Sequence, residues 1–208
     1  MKRWMLLGLL ACACGGSDNN GTPDAGFPTG TGTISGTVNG QQLVVRDAVF
    51  GIDAAFMTLV MADRTHVCEL LGGNSLPSGQ TMVLGLALLN WVGPPNSVGP
   101  IVTGDYTWFD LPGIQTGGPT PSPGHYWNGA FVIPTSCDTG VASASTAGTV
   151  TVNQVGTATG THLQATLTNL TFDGGTLNGT ADAVYCPNAK ISPNCGGIGL
   201  LARPGNTE

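Results

Sequence analysis

The sequence predicts an all-β fold, an antiparallel β-sandwich or flattened barrel with a C-terminal β-meander and one short helix. Three observations predict it. Charged residues make up only 9% of the chain, while Gly numbers 33 and Pro 14, so strong helix formers are scarce and turn formers abundant. Short runs rich in Thr, Val and Leu recur between Gly-, Pro- and Asn-containing breaks, the composition of strands and turns. The last third of the domain alternates apolar and polar residues in three successive segments.

In chain order, Thr33 to Val38 alternates, and Asn39-Gly40 then supplies a type I′ turn signal that predicts a hairpin. Leu43 to Phe50 and Ala54 to Ala62 follow, the second apolar enough to be buried on both faces. Thr65 to Leu71 predicts the helix, carrying Val67, Leu70 and Leu71 and stopping at Gly72-Gly73. Thr81 to Trp91 is a further apolar run, rich in Leu, for which a helix is the alternative; Gly85 and its Gly and Pro flanks favour a strand. Gly104 to Phe109 is a short strand, Leu111 to Gly124 a long surface loop, and Trp127 to Ile133 a strand. Gly148 to Val155, His162 to Phe172 and Thr176 to Tyr185 form the meander. Leu163, Ala165 and Leu167 share a face, but Leu170 and Phe172 have the opposite parity, which predicts a β-bulge near Asn169.

Before the domain lies a leader: Met1-Lys2-Arg3 and the apolar run Trp4 to Leu10, far short of the roughly 20 residues that span a bilayer. It has the length and basic flank of a secretory signal. A small residue and then a cysteine follow, the pattern of a bacterial lipoprotein signal, and Leu9-Leu10-Ala11 places the lipidated residue at Cys12. Cys14 is the weaker match, with Ala11 three residues before it. Residues 1–11 are thus expected to be a lipoprotein signal peptide and 12–32 a lipidated Cys and tether. Residues 33–201 form a single β domain and 202–208 a flexible tail. Gly15 to Gly32 is Gly, Ser, Asp, Asn, Thr and Pro with one large apolar residue, Phe27, a composition that cannot offset chain entropy by burial.

Loss of Lys2 and Arg3 with the leader takes the net charge from −6 to −8. That balance argues against nucleic acid, which needs clustered Lys and Arg, and against a polybasic membrane patch. Four cysteines remain for the domain, Cys68, Cys137, Cys186 and Cys195. An exported protein would hold them as two disulfides, and no CxxC pair or His spacing suggests zinc. Cys186 and Cys195 flank the loop Pro187 to Asn194 and are favoured as a local pair, leaving Cys68 for Cys137.

No GxSxG, HExxH or SxxK motif is present, and His66, His125 and His162 carry no recognisable catalytic pattern, so no catalytic residue, cofactor or metal is assigned. The aromatics Trp91, Trp108, Tyr126 and Trp127, with Tyr106 and His125, gather around the Pro/Gly loops. Core packing is the simpler role for them; a platform stacking on a glycan is the alternative.

Ala147-Gly148-Thr149-Val150-Thr151-Val152, Leu167-Thr168-Asn169-Leu170-Thr171-Phe172 and Gly175 to Cys186 resemble the closing strands of small predicted lipoproteins of large-genome Gram-negative soil bacteria. The leader, the tether, Gly36-Thr37-Val38-Asn39-Gly40 and the segment around Cys68 resemble that group too. The resemblance implies three acyl chains, which anchor stably where one does not. It also implies outer-membrane sorting, since neither Ala13 nor Gly15 is aspartate. It brings no activity and no catalytic residues. The function expected is that of a lipid-anchored envelope domain with a structural or interaction role. The membrane is its first partner, with an envelope protein or glycan as the second. A carbohydrate- or small-ligand-binding module is the alternative.

Overall fold

The computed structural model describes residues 28–53, 56–72, 81–93, 97–110, 121–133 and 141–189. The strands are β1 (Thr31–Val38), β2 (Asp47–Asp53), β3 (Phe56–Ala62), β4 (Val83–Gly93), β5 (Ser97–Gly99), β6 (Gly104–Trp108), β7 (Gly124–Ile133), β8 (Val141–Gln154), β9 (His162–Phe172) and β10 (Gly175–Tyr185), with one helix, α1 (Val67–Gly72). The sheet closes on itself through β10-β2-β3-β4-β7-β6-β8-β9 and back to β10. Of the two architectures expected, the fold is therefore the barrel, with β1 laid outside on β10 and β5 on β4.

Two irregular joints close the barrel. Strand β10 meets β2 in parallel through Val184↔Val49 and Tyr185↔Phe50 alone, while β1 runs antiparallel along the rest of the same edge. Strands β7 and β8 pair at Ala130–Ile133 but diverge at their other ends, where β6 enters between them, parallel to β7 and antiparallel to β8.

The interior is filled. Phe50, Leu59, Leu86, Tyr106, Trp127, Phe131, Leu163 and Leu177 are among its fully buried side chains, as a barrel of this strand number allows. A second buried layer lies outside the β2–β3–β4–β7 wall. There Val49, Val60, Val83, Ala87 and Ala130 pack under Val67, Cys68 and Leu71 of α1 and under Cys186 and Ala189. This layer explains why β3 and β4 are apolar at nearly every position: Leu59 and Leu86 face inward, Val60 and Ala87 outward.

Several expectations are met in detail. In the meander β8-β9-β10, Leu177 pairs with Leu170 and Gly179 with Leu167, so Thr168 and Asn169 together oppose Asn178. This is the bulge, with Asn169 at φ 50° and its N–H donating to Asn178 Oδ1 at 2.8 Å. Opposite it, Gly148 has φ 117°, and a Cβ there would lie 2.5 Å from Asn169 O. Helix α1 begins two residues later than expected because His66 has φ 61°.

Other expectations need correction. The Asn39-Gly40 turn forms, with φ 52° and 73° and reciprocal Val38–Gln41 hydrogen bonds, but no hairpin grows from it. The chain instead leaves the sheet with Leu43 buried in the barrel core, and β2 starts only at Asp47. The favoured cysteine pairing is also overturned: Cys68 is bonded to Cys186, 118 residues away, with Cα atoms 5.6 Å apart. The bond ties α1 to the segment leaving β10 across the outer core. Cys137 and Cys195 lie outside the described residues, as do Cys12, the leader, most of the tether, the tail, the first two residues of the run from Ala54, and 111–120 of the long loop.

Candidate functional site

The aromatics that a glycan platform would need, the alternative to core packing, are divided by strand parity. On β7, Trp127 points into the barrel, has 0% exposure and donates Nε1–H to Gly148 O at 3.0 Å. That burial removes Trp127 from any surface platform. Tyr126, on the opposite face, is half-buried, donates its hydroxyl to Ser122 O at 2.8 Å and leans on Phe109 with ring centroids 5.0 Å apart. Trp108 is half-buried against the core and its Nε1–H reaches Ser145 O at 2.9 Å. Trp91 is half-buried on β4. Tyr106 is fully buried, exchanges hydrogen bonds with the Val102 backbone, and stacks on His125 at 4.9 Å. Burial raises the Tyr106 hydroxyl pKa above its ordinary value. Tyr106 and Trp127 belong to the core and Trp108 packs against it, whereas Trp91 and Tyr126 are half-buried outside it.

A different surface emerges from the register of the sheet. On the outer face of β1-β10-β9-β8-β6, Thr33, Thr180, Thr166, Thr151 and Asp105 are successive partners in one row across all five strands. The neighbouring row holds Ser35 and Asn178, then, across the bulge, Thr168, Thr149 and Thr107. On the other side lie Thr31, Asp182 and Gln164. Side chains one strand apart sit roughly 4.8 Å from each other, and those two residues apart along a strand roughly 6.6 Å. Cross-strand bonds order the array: Thr33 Oγ1 to Thr180 Oγ1 at 2.9 Å, Thr151 Oγ1–H to Asp105 at 2.7 Å, and Asn153 Nδ2–H to Thr166 Oγ1 at 3.0 Å. Each hydroxyl so used keeps spare acceptor capacity. Part of this face is recessed into an open groove of about 340 Å³ lined by Thr31, Thr33, Asn153, Thr166, Thr180 and Asp182 among others. At its edge His162 Nδ1 lies 2.7 Å from Asp182 Oδ1.

The face was missed by sequence reasoning. Its alternating threonines were visible, but which ones stand side by side depends on long-range register. The rows named here contain two aspartates and no Lys or Arg.

Two further carboxylates, Asp47 buried and Asp63 half-buried, hold backbone groups outside this face. Asp47 is 1% exposed and accepts the N–H of Gly30 at 3.0 Å and of Val67 at 2.9 Å, so one side chain joins the entry of β1, the start of β2 and the start of α1. Burial raises its pKa, and the hydrogen bonds from Val67 and Gly30 oppose the rise without cancelling it. Asp63 accepts the N–H of Met82 at 3.0 Å, and burial raises its pKa too. It lines a second open groove with Val44, Arg46, Arg64, Thr65 and Met82.

His66 is exposed and lies 3.7 Å from Glu69. Among the described residues no group of three or more His, Cys, Asp and Glu could hold a metal ion, and no helix is long and apolar enough to cross a membrane. Comparison of the chain with protein-family models, curated proteins and solved structures found no match in any of the three.

Proposed function

We propose that this chain is a lipid-anchored protein of the cell envelope whose barrel is a non-enzymatic interaction domain, binding neutral glycan through the threonine-rich face. The observation that carries the reading is the row Thr33-Thr180-Thr166-Thr151-Asp105 with its polar neighbours. Hydroxyl and amide groups repeating at strand spacing can exchange hydrogen bonds with the hydroxyls of a sugar chain and offer little to a charged polymer. The rigid, filled barrel holds the array in place before a ligand arrives, which lowers the ordering cost of binding. The anchor is supported by Leu9-Leu10-Ala11-Cys12, and the Cys68–Cys186 bond suits an oxidising compartment. The glycan role passes from the aromatic rings to the threonines because Trp127 and Tyr106 are buried and Trp108 is held against the core by Ser145.

The test is co-sedimentation of the protein with insoluble neutral polysaccharide, wild type against Thr166→Glu/Thr180→Glu. Each hydrogen bond lost is worth about 1 kcal/mol, roughly fivefold in affinity, so the double variant should bind at least tenfold more weakly. It should keep its circular dichroism, since both positions face outward. Equal sedimentation of the two proteins, or none by the wild type, would sink the glycan reading. The anchor is read separately, by palmitate-analogue labelling that Cys12→Ser abolishes.

A further inference from the structure

In a chain that would carry −8 once its leader is lost, the placement of positive charge is informative. The arginines among the described residues are Arg46 and Arg64, and both line the same open groove, of about 500 Å³. Both side chains are exposed, and neither makes an ion pair among the described residues. The one carboxylate in the lining, Asp63, accepts the Met82 N–H and also feels the charges of Arg64 and Arg46. The rim carries Val44, 61% exposed, the most exposed of the large apolar side chains described. Two guanidinium groups set against a single carboxylate leave net positive charge at an open recess, which suits an anion, phosphate above all, because the planar fork of N–H donors matches its oxygens.

Position identifies the source of the phosphate. Asp47, adjacent in sequence to Arg46, receives the N–H of Gly30, the residue that leads into β1, and Arg46 itself donates its backbone N–H to Ala62 O at 2.8 Å. The groove thus lies at the root of the segment joining the barrel to Cys12. Seventeen residues lie between Cys12 and Gly30, and a segment of that length, if a Gly/Ser-type coil, would span roughly 20–25 Å. This side of the barrel is held within reach of the bilayer surface.

We propose that the Arg46–Arg64 groove binds the phosphate of anionic lipid headgroups in the membrane to which the chain is tethered, docking the root of the barrel on the bilayer. The proposal rests on the anchored reading above. A basic side chain near an anionic surface is worth about fivefold in binding, too little to recruit a free acidic domain. A tether that keeps the groove at millimolar effective concentration makes the same contacts sufficient. Docking at this side leaves the threonine-rich face, on other strands, open to its own ligand.

The test uses the full-length acylated protein on two kinds of vesicle, phosphatidylcholine alone and phosphatidylcholine with phosphatidylglycerol. Flotation reads the anchor, and amide hydrogen exchange at Val44 to Arg46 and Asp63 to Thr65 reads the groove. The expected result is equal flotation with both vesicles and exchange slowed about tenfold or more only where phosphatidylglycerol is present. That protection should disappear in high salt and in Arg46→Gln/Arg64→Gln. Both residues are exposed, so the variant should keep the wild-type far-ultraviolet spectrum. Protection that is equal on the two vesicles, or that survives in the double variant, overturns the proposal while leaving the anchor intact. Failure to float on either vesicle overturns the anchor, and the proposal with it. Titration with inorganic phosphate in the absence of vesicles separates the two sources. Saturable protection there, with none on anionic vesicles, would assign the groove to free phosphate and reject the lipid.

Discussion

Replacing both Cys68 and Cys186 by alanine should cost the protein about 3–5 kcal/mol of stability. The bond closes a loop across a sequence separation of 118 residues, and the chain-entropy relation gives about 5 kcal/mol for a loop of that length at room temperature. Measured losses for native disulfides fall mostly at 2–5 kcal/mol, because the freed chain keeps some residual order. Two structural facts push this case toward the upper end. Helix α1 has only six residues and cannot persist without its tertiary contacts. Both cysteines are also buried, at 2% and 0% exposure, inside the layer that covers Val49, Val60 and Val83, so their truncation leaves unfilled volume as well. Typical domains are stable by about 5–15 kcal/mol, which makes this a large share of the whole. Urea denaturation of the oxidised wild type and of Cys68→Ala/Cys186→Ala, followed by tryptophan fluorescence, measures the difference. A loss below about 1 kcal/mol would refute the loop-closure reasoning. A non-reducing peptide map joining Cys68 to Cys137 would refute the pairing itself.

Trp127→Ala should cost about 3–5 kcal/mol, since the ring is wholly inside the barrel and its Nε1–H is satisfied by Gly148 O. Thr166→Glu, on the outer face, should cost well under 1 kcal/mol, and comparable losses for the two would contradict the placement of the core. Asp47 and Asp63 both have pKa values above the ordinary 3.8 because they are buried. The folded state therefore holds their protons more tightly than the unfolded chain does. Their contribution to stability should rise as the pH falls from neutrality through those raised values and level off below 3.8. Thermal melts across that interval test it by comparing the wild type with Asp63→Asn, whose melting point should rise less on acidification. A variant that follows the wild-type slope would remove Asp63 from the explanation.

Much of the wall was legible because its signals are local. The alternation in β9 gave the strand from His162 to Phe172, and the parity switch between Leu167 and Leu170 gave the bulge. Continuous apolarity in β3 gave burial on both faces. The features that were not legible depend on meetings between distant segments. Closure through Val184↔Val49 leaves no local trace, so barrel and sandwich stayed open. Spacing favoured Cys195 as the partner of Cys186, but proximity in the fold belongs to Cys68. The Asn39-Gly40 signal was sound for the turn and misleading for the hairpin, because burying Leu43 in the barrel takes precedence over extending a two-stranded ladder. Strand β5, three residues long, falls below what a pattern can register. The threonines of β1, β8, β9 and β10 were each visible as strand residues; their alignment into rows required the register.

The pairing of β1 with β10 has a consequence for the order of events during synthesis. Among the described strands, the first, Thr31–Val38, has its ladder only with the last, Gly175–Tyr185. Strand β10 is also the staple between β9 and β2. Until the ribosome has delivered residue 185, the opening strand has nowhere to lodge and the wall stands open along two edges. Such a topology folds slowly, since its closing contacts are the most distant in sequence, and its interrupted forms expose edges that invite aggregation. The wall of such a chain cannot close before residue 185 is made, and under the anchored reading proposed above that delay would keep it open for passage through a narrow secretion pore.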